Sequence, residues 1–121
     1  MPIERRMPIS DPGTIVRVPF PYTDRPVVQR RPALVLSTSA FAARHGLVWV
    51  VMVTSARNLG WQGDVMIADH LAAGLPSPST IRTAKVATIH LADTEPIGRL
   101  DSGTLAEVQR AVADQLGLWA K

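Results

Sequence analysis

Apolar positions in this chain come in short runs with a period near two as far as residue 100, and at helical spacing after it. Thr14-Ile15-Val16-Arg17-Val18, after the turn signal Pro12-Gly13, reads as a β-branched strand. Pro19 and Pro21 are expected to end it, because neither can donate to a sheet ladder. An extended, proline-stiffened loop is expected to follow through Gln29, and then a strand over Ala33-Leu34-Val35-Leu36-Ser37. Ser39 is placed to cap a short helix from Ala40 to Arg44, which Gly46 closes. Leu47 to Val53 is apolar on both faces, the pattern of a central, covered strand ending in Thr54-Ser55. Asn58-Leu59-Gly60 makes a turn, Asp64 to Ile67 a further strand, and Asp69 to Pro78 a connection broken by Gly74, Pro76 and Pro78. Thr80 to Ile89 is a partly alternating strand, and Glu95 to Leu100 the last short one. Leu105, Val108, Val112 and Leu116 then share one helical face, with Asp101 as N-cap and Gly117 as the stop. The pattern predicts a mainly β fold, a small curled antiparallel barrel with a C-terminal α-helix packed on it.

A length of 121 residues fits one compact domain, and 46% hydrophobic against 19% charged residues fits a folded globule. Residues 1–9 read as a flexible N-terminal arm, with Met7 an alternative start, and 10–119 as the domain. The chain has no cysteine, which excludes thiol nucleophiles, disulfides and thiolate metal sites. No apolar run is long enough to span a membrane, and the N-terminus lacks the apolar core of a signal peptide, so a cytoplasmic protein is expected. A net charge of +3 favours an anionic partner, and 11 of the 13 basic residues are arginine. Arginine suits forked phosphate recognition, but the count also follows from composition bias, so position carries the reading.

The position that stands out is Arg30-Arg31-Pro32, a doubled arginine at the entry to an apolar strand. A guanidinium stays charged, matches two phosphate oxygens at once, and is held here by the backbone constraint of Pro32. Arg31 is either that group or a surface charge flanking a strand. Thr54 and Ser55 end the covered strand, where a hydroxyl either donates to a phosphoryl oxygen or satisfies a strand-end carbonyl. Arg82, alternating with Ile81, faces the same cleft or is a sheet-surface charge. His45, His70 and His90 form no acid–base pair, and the spacing of Asp64, Asp69 and His70 fits no recognised metal site. No glycine-rich phosphate loop, nucleophile elbow or zinc-protease helix is present.

The ordered set from Pro12-Gly13-Thr14-Ile15-Val16-Arg17-Val18-Pro19-Phe20 through Arg31-Pro32-Ala33-Leu34-Val35-Leu36-Ser37 and Val53-Thr54-Ser55 resembles the MazF/PemK family of toxin endoribonucleases. The likeness continues over Gly74 to Arg82, Thr88-Ile89 and Ile97-Gly98-Arg99-Leu100, covering about residues 12–118. The resemblance implies an SH3-like barrel that forms a homodimer, cleaves single-stranded RNA without a metal or other cofactor, and is inhibited by an antitoxin. It implies that Arg31 and Thr54 are the catalytic pair, with Ser55 and Arg82 supporting catalysis or binding phosphate. Tyr22, Arg25, Gln29 and Arg30, in the loop and at its exit, are the RNA-binding candidates. The implied chemistry is attack of the substrate's 2′-hydroxyl on the adjacent phosphorus, leaving a 2′,3′-cyclic phosphate and a 5′-hydroxyl.

Two positions depart from the family pattern. The loop Asp24 to Gln29 is short, glycine-free and basic where many members carry a glycine-rich loop. Ala84 stands where some members place a carboxylate, two residues after the arginine matched by Arg82. The alternative on the same fold is a non-enzymatic gyrase poison of the CcdB type, which depends on a C-terminal tryptophan such as Trp119, or a degenerate member that binds RNA or antitoxin without cutting.

Overall fold

The period-two runs form one curled antiparallel sheet in a computed structural model, which describes residues 11–21, 28–58 and 60–118. Its strands are β1 (Thr14–Pro21), β2 (Val28–Val35), β3 (Leu47–Ser55), β4 (Val65–Met66), β5 (Ser79–His90) and β6 (Glu95–Arg99), in the spatial order β4-β5-β3-β2-β1-β6. Helix α1 (Ser39–His45) joins β2 to β3, and helix α2 (Ser102–Gln115) follows β6. The fold is therefore mainly β with a C-terminal helix. β3 is buried on both faces except at Trp49. Val48, Val50 and Met52 pack with Val16, Val18, Ala33 and Val35 on one side, and Val51 and Val53 with Ile15, Leu34, Ile81 and Val108 of α2 on the other.

The local signals mostly hold, with differences that have physical reasons. β1 runs through Pro19 and Pro21 rather than stopping before them. β6 pairs only with Thr14 to Arg17, so the far half of β1 has an edge without a described neighbour, where a missing N–H costs no ladder bond. β2 begins at Val28 because Phe20 and Pro21 keep pairing with Gln29 and Val28, which puts Gln29, Arg30 and Arg31 in the strand and not in a loop. It ends at Val35, and the Ser37 hydroxyl accepts the Trp49 N–H beyond it.

Thr38, not Ser39, caps α1, its hydroxyl accepting the Phe41 N–H. Asp101 caps α2 as expected, accepting the backbone N–H and the hydroxyl of Thr104 and holding its carboxyl below the usual range through those bonds. Gly117, at φ 73°, closes the helix with the Leu118 N–H donating to the Ala113 carbonyl. Leu116 is a correction: it lies just past the helix end and is 66% exposed, and the packed stripe is Leu105, Val108, Ala111 and Val112. The Tyr22 and Arg25 assignments, the N-terminal arm and Trp119 fall outside the described residues.

Two features of this frame shape the candidate site. The β2–β3 ladder runs Val35↔Val50, Leu34↔Val51, Ala33↔Met52 and goes no further. The next residue is Pro32, which has no N–H to give, while β1–β2 and β3–β5 both continue. β2 and β3 therefore part at Pro32 inside an otherwise paired sheet. The second feature is the packing of Gly74 on Gly98. A Cβ on either would collide with the other segment's backbone, at the Ile97 carbonyl from Gly74 and the Ala73 carbonyl from Gly98. Only glycines allow that approach, and it seats Leu75 and Pro76 beside the parted strands.

Candidate active site

Where β2 and β3 part, a cavity of about 150 Å³ opens, lined by Arg31 and Pro32 from β2, Val53, Thr54 and Ser55 from β3, and the segment Leu75 to Ser79. Continuing the Ala33↔Met52 register two residues places Arg31 opposite Thr54. Thr54 pairs in turn with Thr80 on β5, so Arg31, Thr54 and Thr80 form one row across three strands. The alternation of β2 and β3 puts Arg31 on the face of Ala33 and Val35, and Thr54 on the face of Met52 and Val50, which is the same face. Two residues 23 positions apart in sequence thus line the same cavity.

The two side chains are held differently. Arg31 is half-buried, and its Nε is out of contact with solvent and has no hydrogen-bond partner among the described residues. A buried donor without a partner costs stability, so the Nε position calls for an explanation. Thr54 is 5% exposed, and its Oγ1 accepts a hydrogen bond of 2.6 Å from Asn58 Nδ2. Ser55 Oγ accepts from the Arg57 N–H at 3.1 Å, so this hydroxyl organises the turn after β3. A second cavity, of about 520 Å³, continues from the first. The two share Ser55 and Ser77, and Arg57 lines the outer one.

Arg82 shares the sheet face but not the cavity. It lies across from Met52, two residues along from the Thr54–Thr80 pair, and is itself buried. Its Nε and Nη2 donate to the two Asp64 oxygens at 3.2 and 2.9 Å, and the Trp61 ring covers the guanidinium at 4.4 Å. Burial pushes the Asp64 carboxyl up, but the Arg82 hydrogen bonds, the Trp61 N–H and the Arg82 charge together hold it below the usual carboxylate range. Arg82 thus anchors the Trp61–Asp64 segment to β5.

Arg30 turns to the opposite face from Arg31. Its Nη2 donates to the Arg17 carbonyl at 3.1 Å and lies 3.6 Å from Glu95, on the exposed side of the β1–β6 pair. Gln29 is exposed in β2. Ala84 is exposed in the stretch Thr83 to Lys85, which bulges out of register where the β3 pairing jumps from Val51↔Val86 to Met52↔Arg82.

Sequence reading missed Asn58, Arg57 and the role of Asp64. An asparagine four residues past a strand-end threonine carried a signal, since its side chain reaches back over short turns. The Asp64–Arg82 pairing, 18 residues apart, carried none. Among the described residues no group of three or more His, Asp or Glu side chains is gathered as a metal site would need. No helix among them is long and apolar enough to cross a membrane.

A barrel-like sheet with a C-terminal helix, and an arginine and a threonine at its parted strands, agrees with the family likeness in the sequence. The match that decides it covers residues 11–116, with the family described as PemK-like, MazF-like toxin of type II toxin-antitoxin system. The chain belongs to the PemK/MazF toxin family. Among solved structures, MazF from Deinococcus radiodurans is 28% identical, with a TM-score of 0.75 over 90% of this chain and 97% of that one. A MazE–MazF structure from the same organism is 26% identical, with a TM-score of 0.72 over 92% and 98%. An endoribonuclease in complex with its cognate antitoxin from a mycobacterial species is 20% identical, with a TM-score of 0.72 over 92% and 98%, a likeness of fold. None of the curated proteins matches the sequence. The six-stranded antiparallel sheet with its terminal helix is the MazF fold.

Proposed function

We propose that this PemK/MazF-family toxin is a sequence-selective endoribonuclease that cuts single-stranded RNA without a metal ion, inhibiting translation and growth. The observation that carries the reading is the cavity that Arg31 and Thr54 share. Arg31, whose buried Nε has no hydrogen-bond partner among the described residues, and Thr54, which carries a hydroxyl at the strand end, line one cavity. In this reaction the 2′-oxygen attacks the adjacent phosphorus and the bond to the 5′-oxygen breaks. The proton lost from the 2′-oxygen is balanced by one gained at the 5′-oxygen. Charge builds on the non-bridging oxygens of the phosphorane, where Arg31 supplies a compensating charge and Thr54 a hydrogen-bond donor. Donors already in place when the charge develops lower the barrier without reorganisation. Ser55, tied to the Arg57 N–H, has a supporting role, and Arg57 contacts the next phosphate along the outer cavity.

The partners follow from the same reading. Single-stranded RNA is the substrate, in keeping with a net charge of +3. A cognate antitoxin restrains the enzyme, as the MazE–MazF complexes of a relative suggest. A homodimer is the working form, supported by the large apolar side chains Trp49 and Val86 left about half exposed on the sheet. Arg82, committed to Asp64, supports the fold beside the site and is not assigned a phosphate contact. The test is cleavage of a long single-stranded RNA in EDTA by wild type and by Arg31→Ala. Cyclic-phosphate ends present only with wild type support the nuclease. No cleavage together with trapped gyrase–DNA complexes would favour the non-enzymatic alternative.

A further inference from the structure

We propose that Asn58 is a positioning residue that fixes the Thr54 hydroxyl as a hydrogen-bond donor into the cleft. The proposal deepens the nuclease reading and its consequence for catalysis rests on it. A threonine hydroxyl has one proton to give and lone pairs that accept. Asn58 Nδ2 donates to Thr54 Oγ1 at 2.6 Å, so the contact fills an acceptor position and leaves the hydroxyl proton uncommitted. Among the described residues no carbonyl or carboxylate takes that proton. The usual fate of a strand-end hydroxyl, bonding to a nearby backbone carbonyl, is thereby avoided. The proton remains available to a non-bridging phosphate oxygen in the cavity that Thr54 lines with Arg31.

The turn that carries Asn58 is built to hold it there. The Asn58 N–H donates to the Ser55 carbonyl, the Arg57 N–H to the Ser55 hydroxyl, and the Ala56 N–H to the Pro78 carbonyl. Those three bonds fix the 55–58 segment against β5 and aim the amide back at Thr54. Donation from the amide has a second effect. It polarises the Oγ1–H bond in the direction that makes its proton a better donor.

The test compares Asn58→Ala and Asn58→Asp, because the two roles predict opposite orders. If Asn58 only shapes the turn, Asn58→Asp is the milder change, since aspartate forms the same turns. If it positions the hydroxyl, aspartate is worse than alanine, because a carboxylate accepts the Thr54 proton and turns it away from the substrate. On a defined single-stranded RNA, Asn58→Ala should lower kcat about tenfold with KM unchanged, and Asn58→Asp about 100-fold, the scale of losing one transition-state donor. Measured against wild type at each pH, Asn58→Asp should regain activity as pH falls towards about 4, where its protonated carboxyl donates to Thr54 again. Asn58→Asp at least as active as Asn58→Ala, or a loss confined to KM, would overturn the proposal. Wild type that cuts no RNA would instead sink the nuclease reading. The hydrogen bond is then read by NMR: an Asn58 side-chain amide proton shifted downfield in wild type and restored in Thr54→Val supports the assignment. An unchanged shift overturns it.

Discussion

Arg31 and Thr54 line one cavity just beyond Pro32, where the ladder between their strands has stopped. Had the ladder continued, backbone hydrogen bonds would close the gap that now forms the cavity. A residue without an N–H, in the middle of a sheet, leaves room for that cavity.

Pro32→Ala tests that relationship. Alanine restores an N–H on the side facing β3, so the strands are expected to pair one step further and narrow the cleft. Turnover should fall by about 10-fold or more, as small displacements of aligned groups do, with no loss of stability. Slow hydrogen exchange of the amide at position 32, alongside lower kcat, would bear this out. An unprotected amide with unchanged activity would show that Pro32 does not set the gap.

Substitutions of the pair itself should separate charge, fork and hydroxyl. Arg31→Ala is expected to lose at least about 100-fold in kcat, and Arg31→Lys to recover only part, since a point charge cannot make the forked contact. Thr54→Val should lose about 100-fold and Thr54→Ser much less, because serine keeps the donor. Steady-state kinetics on one RNA measure all four, and equal activity of Thr54→Val and wild type would remove the hydroxyl from the mechanism.

Much of this was legible in the chain, for reasons that differ residue by residue. The β-branched alternation of β1 and the two-faced apolar run of β3 announced their strands because sheet periodicity is written locally. Arg31 and Thr54 could be named because each lies beside a local mark in the sequence, Pro32 after Arg31 and the end of an apolar run at Thr54-Ser55, although Arg31 proves to lie within β2 and not at its start. Their being opposite depends on register, which no local pattern states. Arg82 illustrates the limit: its alternation placed it on the correct face, but its partner Asp64 arrives from a distant loop. Pro19 and Pro21 misled for the same reason, since whether a proline ends a strand depends on what lies beside it.

The Asp64–Arg82 pair should matter to stability more than to turnover. Asp64→Ala leaves a buried guanidinium without its counter-charge and should cost about 3 kcal/mol. The sign with pH follows from the lowered Asp64 carboxyl. The folded protein binds that proton less readily than the unfolded chain, so the pair's contribution is complete above the unfolded value near 3.9 and is lost as pH falls through the lower folded value. Denaturant melts from pH 3 to 7 should show wild type losing stability more steeply than Asp64→Asn at the acid end. Parallel curves would show that the pair contributes nothing through its charge.

Gly98→Ala should displace the cavity wall from a distance. Its methyl group meets the Ala73 carbonyl, so the segment leading to Leu75 and Pro76 must move. A cost of about 1–3 kcal/mol is expected, with reduced kcat at temperatures where the variant is still folded. Thermal melts and kinetics on the same sample check both, and an undisturbed protein would contradict the close packing of Gly74 on Gly98.

The most direct measurement is the chemistry of the cut ends. A long single-stranded RNA is incubated in EDTA with wild type and with Arg31→Ala, each shown to be folded by circular dichroism, and the fragment termini are mapped. Wild type should produce discrete fragments with 2′,3′-cyclic phosphate and 5′-hydroxyl ends, and Arg31→Ala should leave the RNA intact. Intact RNA with wild type, or the same fragments from Arg31→Ala, would contradict a catalytic cleft built on Arg31 and Thr54.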